Sequence, residues 1–210
     1  MSWHESLSVA HGDLPAEQAD AFSRCARVAW DVETSGLDWH QDQLGTCQLY
    51  TREVGIVVVS LAEGVPRRLS ELLENPAVEK IFHYAPFDLR FMSHAWHVRP
   101  ASIRCTKIAS KLLAPSLPNK DHSLQSLALR HLGVRLQKGP IRTSDWTTES
   151  LSRTQIEYAA TDVIYLPELF EILEGELDVR GLTGLYDECC TFLPALVQLE
   201  LGPYPDVFAY

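Results

Sequence analysis

The sequence lacks the patterns that mark several large classes of protein. Its five cysteines are odd in number and form no CxxC pair, which argues against a disulfide framework and favours a reduced compartment. No apolar run approaches the length of a membrane span, and the chain does not open with the basic and apolar regions of a signal peptide. We therefore expect a cytoplasmic protein with no membrane partner.

Several motifs of catalysis and nucleotide binding are also missing. There is no GxSxG sequence, no Walker loop and no GxGxxG, so neither a serine triad nor a dinucleotide-binding turn is indicated. His94 and His97 have the spacing of zinc ligands, but no second ligand pair matches them. No Gly/Ser-rich linker or internal repeat divides the 210 residues, which predicts a single domain over residues 1–210.

Charge is distributed unevenly along the chain. The net charge is −10, yet residues 99–142 carry +8, so the rest of the chain carries −18. A solvated helical surface would explain a basic run, but an asymmetry of this size favours a local surface that faces phosphate. The acidic remainder disfavours tight binding along a long nucleic acid, where many phosphates must be neutralised together.

The periodicity of apolar residues predicts an α/β domain with a mixed sheet. Strands are predicted at residues 27–34, 45–51, 55–61, 78–85 and 102–106. Helices are predicted at residues 14–26, 67–76, 86–98, 107–114, 122–133, 151–173 and 184–201. Residues 134–146 are predicted to be irregular. Pro167 is expected to kink the long helix over 151–173 just after Asp162, because it removes a helical hydrogen bond.

Carboxylates gather at three places in this pattern. Asp31 and Glu33 end an apolar strand and, two residues apart, share one face of it, where their charges repel. Asp88 falls in the first turn of a helix opened by Pro86, where the helix dipole alone would favour an acid. Tyr158 and Asp162 share one face of a later helix.

Each of these three elements has an ordinary structural explanation when it is taken alone. Together, four acids and a tyrosine could surround cations, and hard oxygen ligands select Mg²⁺ or Mn²⁺. Cations between the carboxylates would offset the repulsion of their charges.

Three segments carry a family resemblance. "DVETSGL", "FHYAPFDL" and "RTQIEYAATDVIYL" resemble the three motifs of the DEDD superfamily of 3′–5′ exonucleases, and Tyr158 marks the tyrosine subtype. The segment "IRTSDWTTESLSRTQIEYAATDVIYL" is similar to the ribonuclease D branch. "KIFHYAPFDL", "CTKIASKLL", "TSDW" and the ending "DVFAY" most resemble the nano-RNase C group of small diribonucleases. Many members have Asn where this chain has Tyr84, which we interpret as a marker of that group.

The resemblance implies a ribonuclease H-like exonuclease fold, a twisted mixed sheet flanked by helices, and two Mg²⁺ or Mn²⁺ ions. It implies that Asp31 bridges both metals, that Glu33 and Asp162 complete the nucleophile-side site, and that Asp88 holds the second metal. It also implies that Tyr158 orients the attacking water.

Candidate contacts to the substrate are less specific. The resemblance implies that Leu37 is a wedge between two bases, and Thr34 and His83 belong to the same motifs. The basic segment adds Lys107, Lys111 and Arg142 as candidate phosphate ligands, although such lysines are often merely solvated.

The resemblance implies a 3′–5′ exoribonuclease, and we predict that it cleaves very short single-stranded RNA, such as dinucleotides, to 5′-mononucleotides. The acidity and the lack of the C-terminal helical domains found in ribonuclease D favour short substrates. A ribonuclease D-like trimmer, a DNA exonuclease and a non-catalytic RNA-binding module on the same fold are the alternatives.

Assembly of the chain is also predicted. The tail "PYPDVFAY" exposes apolar side chains if it is not docked on its own core. The resemblance implies a homo-oligomer in the form of a ring-like octamer.

Overall fold

Six strands form one mixed sheet in the computed structural model, which describes residues 6–61, 63–136, 139–148, 150–204 and 206–209. The spatial order is β1-β4-β3-β2-β5-β6. The strands are β1 (Leu7–His11), β2 (Arg27–Thr34), β3 (Leu44–Thr51), β4 (Gly55–Ser60), β5 (Glu79–Phe82) and β6 (Ile103–Cys105). Strand β3 is antiparallel to β2 and β4, whereas β1–β4, β2–β5 and β5–β6 are parallel pairs. The predicted mixed sheet is confirmed.

Helices flank this sheet. They are α1 (Ala16–Ser23), α2 (Arg67–Glu74), α3 (Ala85–Trp96), α4 (Thr106–Leu113), α5 (Leu124–Leu127), α6 (Arg153–Ile164), α7 (Leu166–Val179) and α8 (Thr183–Leu201). Helix α6 packs on β2, β3 and β4, and α3 contacts β3, β5 and β6. No helix in the described part of the chain is long and apolar enough to cross a bilayer. The α/β class and the ribonuclease H-like arrangement are confirmed.

Two helix starts follow from local sequence and set the positions of acidic side chains. Pro86 lies in the first turn of α3, where a missing N–H costs no hydrogen bond. Ser152 caps α6, since its hydroxyl accepts from the Gln155 N–H while the Gln155 side chain accepts from the Ser152 N–H. These starts fix the helical turns that carry Asp88, Tyr158 and Asp162.

The prediction of one long helix over residues 151–173 is wrong, because the structure has two helices there. The chain forms α6 and α7 with a break at Tyr165, later than the kink expected after Asp162. Pro167 cannot donate to the carbonyl of Val163 and would crowd it, so the first helix ends and Pro167 instead occupies the first turn of the second.

The predicted helix over residues 122–133 is helical for most of its length, but it is not a continuous α-helix. Only Leu124–Leu127 is α-helical, and a wider π turn follows over Ala128–Leu132. Gly133 ends that turn with φ of 69°, which is the left-handed conformation expected of a C-terminal glycine. Strand β1 was not predicted at all, and it lies along the apolar strand β4.

A network of ion pairs ties the sheet to the C-terminal helices. Glu79 on β5 accepts hydrogen bonds from Arg27 on β2 and Arg104 on β6. Arg27 also pairs with Glu174 on α7, and Arg104 pairs with Asp187 on α8. Burial opposes ionisation of Glu79, but the hydrogen bonds from Arg104 and Arg27 prevail and lower its pKa.

Candidate active site

The five predicted catalytic residues line one cleft of about 570 Å³. Strand β2 supplies Asp31 and Glu33, the first turn of α3 supplies Asp88, and α6 supplies Tyr158 and Asp162. A larger depression of about 820 Å³ is lined by other described residues and contains none of these five. The converging carboxylates therefore locate the candidate site in the smaller cleft.

Three carboxylates form the centre of the cleft. Asp31, Glu33 and Asp162 each offer one oxygen, and these oxygens lie within 4.8 Å of one another. Alternation along β2 puts the first two on one face, and α6 brings the third from more than 100 residues later. A set of oxygen donors this close is the donor chemistry that Mg²⁺ or Mn²⁺ requires.

Asp88 lies deeper in the cleft, with only 2% of its surface exposed. Its Oδ1 accepts a hydrogen bond from the Val32 N–H at 3.1 Å, which ties α3 to β2. Burial and then the neighbouring charge of Asp31 raise the pKa of Asp88 well above its usual value. A cation in the cleft would relieve both effects, so Asp88 fits a place at the edge of an ion site.

Tyr158 is buried one turn before Asp162 on α6. Burial raises the pKa of its phenol, and the charges of Asp162 and Glu33 raise it further. The ring of Tyr158 lies 5.9 Å from that of Trp146, which is itself fully buried. The phenol is therefore neutral at physiological pH and can donate its proton in a hydrogen bond.

The residues that support Tyr158 were not predicted. Gly45, at the start of β3, lies so close to the Trp146 backbone that an added Cβ would be 2.3 Å from the Trp146 carbonyl oxygen. A glycine inside an apolar strand segment is a signal of close backbone approach, but the sequence does not say to which segment.

Four of the six candidate substrate contacts line the cleft: Thr34, Leu37, His83 and Lys107. The Leu37 side chain is 79% exposed and stands at the rim. His83 Nδ1 lies 2.9 Å from the Thr106 hydroxyl, which donates to the Phe82 carbonyl. The Thr106 hydroxyl therefore links the His83 ring to the end of β5.

The remaining two candidates are not brought to the cleft by described contacts. Lys111, one turn beyond Lys107 on α4, is exposed and is not among the described residues that line the cleft. The side chain of Arg142 lies outside the described part of the chain. Both remain predictions.

Tyr84 has an uncommon backbone conformation beside the site. Its φ of 66° and ψ of 47° are left-handed, which bulky residues rarely adopt. Lys107 Nζ lies 4.3 Å from the centre of the Tyr84 ring, so the ring makes a cation–π contact with a lysine that lines the cleft.

Gln48 is a further residue that sequence reasoning missed. It is fully buried on β3 and donates from Nε2 to Asp31 Oδ2 at 2.8 Å. A polar residue in the apolar segment "GTCQLYT" was a visible signal, but its partner depends on the pairing of β3 with β2.

Comparison with known proteins agrees with this fold and site. Residues 9–178 match the family described as 3′-5′ exonuclease. Ribonuclease D of Nitrobacter hamburgensis is 30% identical over 176 residues, which cover 80% of this chain and 45% of the relative. Ribonuclease D of Haemophilus influenzae is 35% identical over 150 residues, covering 71% and 37% respectively. The chain belongs to the 3′–5′ exonuclease family and spans less than half the length of these relatives.

Solved structures locate the chain within that family. NrnC of Brucella melitensis has a TM-score of 0.88 and 35% identity, covering 97% of this chain and 98% of NrnC. That protein has also been solved with bound Mg²⁺ and bound to pGG. Escherichia coli RNase D, with a TM-score of 0.76 and 24% identity, shares the fold. The chain lies in the ribonuclease D branch, near NrnC.

Proposed function

We propose that this protein is a metal-dependent 3′–5′ exoribonuclease that hydrolyses very short RNA to 5′-mononucleotides. The observation that carries the proposal is the meeting of Asp31, Glu33 and Asp162 within 4.8 Å in a cleft that also contains Asp88 and Tyr158. Such a concentration of negative charge is costly without a cation, which argues for a functional rather than a structural role.

Two divalent ions are the cofactors that we propose. Asp31, Glu33 and Asp162 would hold one of them, and Asp31 and Asp88 would hold the other. The NrnC structure with Mg²⁺ supports the choice of ion. When bound, such ions supply a nucleophile at neutral pH and neutralise charge on the phosphate.

The chain's own groups have separate tasks in this proposal. Tyr158 keeps its proton, because burial and nearby carboxylates raise its pKa, so it orients the attacking water as a hydrogen-bond donor and does not act as a base. Lys107 lines the cleft and supplies positive charge toward the substrate phosphate. Leu37, exposed at the rim, separates the two bases.

Preference for very short RNA is supported by the NrnC structure bound to pGG. A ribonuclease D-like trimmer of longer RNA and a DNA exonuclease are alternatives in the same class, and a non-catalytic RNA-binding module is an alternative in another. The 2′-hydroxyl is the chemical group that separates RNA from DNA substrates.

A homo-octamer is the assembly that we propose. Its support within the chain is an exposed apolar surface at the C-terminus, the tail patch, formed by Phe192, Tyr204, Val207 and Phe208. The Phe208 ring packs edge-on against Phe192 at 5.8 Å between centroids, so the tail contacts α8 while 74% of Phe208 stays exposed. Exposed apolar patches of this kind are typical of interfaces.

A digestion ladder tests the proposed reaction. Oligoribonucleotides of two to seven residues, at equal concentration of 3′ ends with MgCl₂, should be shortened from the 3′ end, with the dinucleotide cleaved fastest. Asp31→Asn should lower the rate by roughly 100- to 1,000-fold or more, because it removes the negative charge that would hold both ions. Asp178→Asn, an exposed acid on α7, is the matched control and should cleave as the wild type does.

The same experiment separates the alternatives. Faster cleavage of the longest RNA would favour the trimmer, and equal cleavage of deoxyribose substrates would favour a DNA exonuclease. A folded wild type without hydrolysis, or an unchanged rate in Asp31→Asn, would overturn the catalytic proposal and favour the binding module.

A further inference from the structure

Two buried polar side chains lie beside the carboxylates on the neighbouring strand. Thr46 and Gln48 on β3 are fully buried. In the antiparallel pairing of β3 with β2, Gln48 is directly opposite Asp31, and Thr46 is directly opposite Glu33. Residues directly opposite in a pair lie on the same face of the sheet, so both polar side chains share the face of the carboxylates.

These side chains form a short chain of hydrogen bonds that ends on Asp31. The Thr46 hydroxyl donates to Gln48 Oε1 at 3.0 Å. Gln48 Nε2 then donates to Asp31 Oδ2 at 2.8 Å. The chain has a direction, because a flipped amide would turn Oε1 toward the negative carboxylate. Asp31, whose carboxylate can only accept, therefore sets the orientation of the amide, and the Thr46 hydroxyl holds the other end of the amide by donating to Oε1.

We propose that Gln48 is a positioning residue for the divalent-ion site and that Thr46 acts through it. This inference rests on the proposed function, because it assigns a task in ion binding to residues that do not themselves offer a carboxylate. Gln48 fixes the rotation of the Asp31 carboxylate before an ion arrives, and Thr46 fixes the amide of Gln48.

The chemistry of the amide suits this task. A carboxylate that rotates freely must be ordered when an ion binds, and a hydrogen bond made beforehand removes that cost. A lysine or arginine at position 48 would also hold Asp31, but its positive charge would compete with the cation. Glutamine supplies a donor without a charge, so Asp31 is oriented while its negative charge stays available to the ion.

Full burial makes the arrangement rigid. A buried amide with an unpaired end is destabilising, so both of its ends must be satisfied together. The Gln48 amide therefore depends on Thr46 at one end and on Asp31 at the other. Loss of either contact should loosen the carboxylate.

A double-mutant cycle on Mn²⁺ affinity tests the inference. Titration calorimetry on metal-free protein gives the affinity without substrate or turnover. Gln48→Met removes the donor at similar size and should weaken Mn²⁺ binding roughly 10- to 100-fold. Thr46→Val should weaken it less, and Thr46→Val with Gln48→Met should bind no more weakly than Gln48→Met alone, because Thr46 acts only through Gln48.

Two further variants act as controls. Thr46→Ser keeps the hydroxyl and should restore the affinity that Thr46→Val loses, which a purely steric role of the methyl group would not explain. Gln18→Met removes an amide that donates at 2.9 Å to the Ser8 hydroxyl on the edge strand β1, which β4 and β3 separate from β2, and should not change Mn²⁺ affinity. Thermal unfolding without metal shows whether each variant is folded. If Gln48→Met is not folded, the comparison of Thr46→Val with Thr46→Ser tests the inference by itself.

The outcomes that overturn the inference are distinct from failure of the proposed function. Wild-type affinity in Gln48→Met and Thr46→Val, or full additivity of the two losses, overturns the inference while the metal site stands. A wild-type protein that takes up no Mn²⁺ overturns the metal site and the inference together.

Discussion

Lys80 is buried inside the sheet, whereas most lysines keep their ammonium group in water. It is fully buried on β5, and its Nζ donates to the Asn75 carbonyl at 2.6 Å. Burial lowers its pKa to about 8, and the neighbouring charge of Glu79 opposes the shift only in part. The folded protein therefore bears the cost of a poorly solvated charge at neutral pH.

Replacement of Lys80 should stabilise the protein in a pH-dependent way. The folded pKa lies below the unfolded value of 10.5, so the charge destabilises fully below about pH 8 and the penalty disappears as the pH rises toward 10.5. Lys80→Met should raise the free energy of unfolding at pH 7 by about 1–3 kcal/mol. The Asn75 carbonyl keeps its hydrogen bond from the Val78 N–H.

Urea unfolding at pH 7 and at pH 10 measures this difference. The increase in the free energy of unfolding of Lys80→Met should be smaller at pH 10. Lys120→Met, a change at an exposed lysine, should show no comparable increase at either pH. An equal gain at both values would mean that packing, and not ionisation, is the cause.

Sequence reasoning performs unevenly at this scale. Asp31, Glu33, Asp88, Tyr158 and Asp162 were named together from their patterns and the family resemblance, and all five line one cleft, while their catalytic roles stay predictions. Gln48 was missed because its contact with Asp31 depends on the register between β3 and β2. Lys111 was named for its charge alone, and charge does not say which way a side chain on α4 points.

Close packing between elements sets the position of Tyr158. Strand β3 begins under the backbone of Trp146, and the Trp146 ring in turn packs on Tyr158 of α6. The approach is possible only because residue 45 has no side chain. The start of a strand thus controls a residue of the candidate site through one intervening ring.

Addition of one methyl group at position 45 should therefore lower kcat. Gly45→Ala places a Cβ 2.3 Å from the Trp146 carbonyl, so the backbone must shift, at a cost of about 1–3 kcal/mol. The displaced ring should move Tyr158 and lower kcat for the dinucleotide. Gly175→Ala is the matched control: it lies within α7 with open space around it, and should stabilise by about 0.5–1 kcal/mol.

Thermal unfolding and steady-state kinetics on both variants check this expectation. An unchanged kcat in Gly45→Ala would show that the Trp146 backbone can move without disturbing Tyr158.

Element boundaries were predictable where the local signal is strong. Strands β2, β3 and β4 lie within one residue of their predicted bounds, because β-branched and apolar runs there end at turns. The break at Tyr165 and the π turn over Ala128–Leu132 were not predicted correctly. A proline tells that a helix is interrupted, but packing of the two halves decides where.

The order of strands in the sheet belongs to the scale of the whole molecule, and it was not predictable. Parallel pairs join distant segments, such as β1 with β4 and β2 with β5, with no short turn between them to reveal the pairing. The pattern of strands and helices was enough for the mixed α/β class. It was not enough for the strand order or for β1.

Assembly is the testable property at this scale. Light scattering should give a mass near eight times 23.6 kDa. Phe208→Ser, in the tail patch, should shift the mass toward smaller species, because a polar group replaces apolar surface that the octamer would bury. Val179→Ser is the matched control, since Val179 is 87% exposed at the end of α7 and outside the tail patch.

A wild type that stays monomeric at tens of micromolar would contradict the assembly. An unchanged octamer in Phe208→Ser would leave the assembly standing and remove the tail patch from its interface.

Strand β1 has a consequence for the behaviour of the chain outside its native state. All six residues of β4 are buried, and β1 occupies the side of β4 that faces away from β3. A chain that has folded without β1 would present β4 as an unpaired, β-branched edge, and such edges recruit strands from other chains. Pairing of residues 7–11 with β4 therefore protects the chain against aggregation, and the unfolded chain is prone to aggregate until this pairing forms.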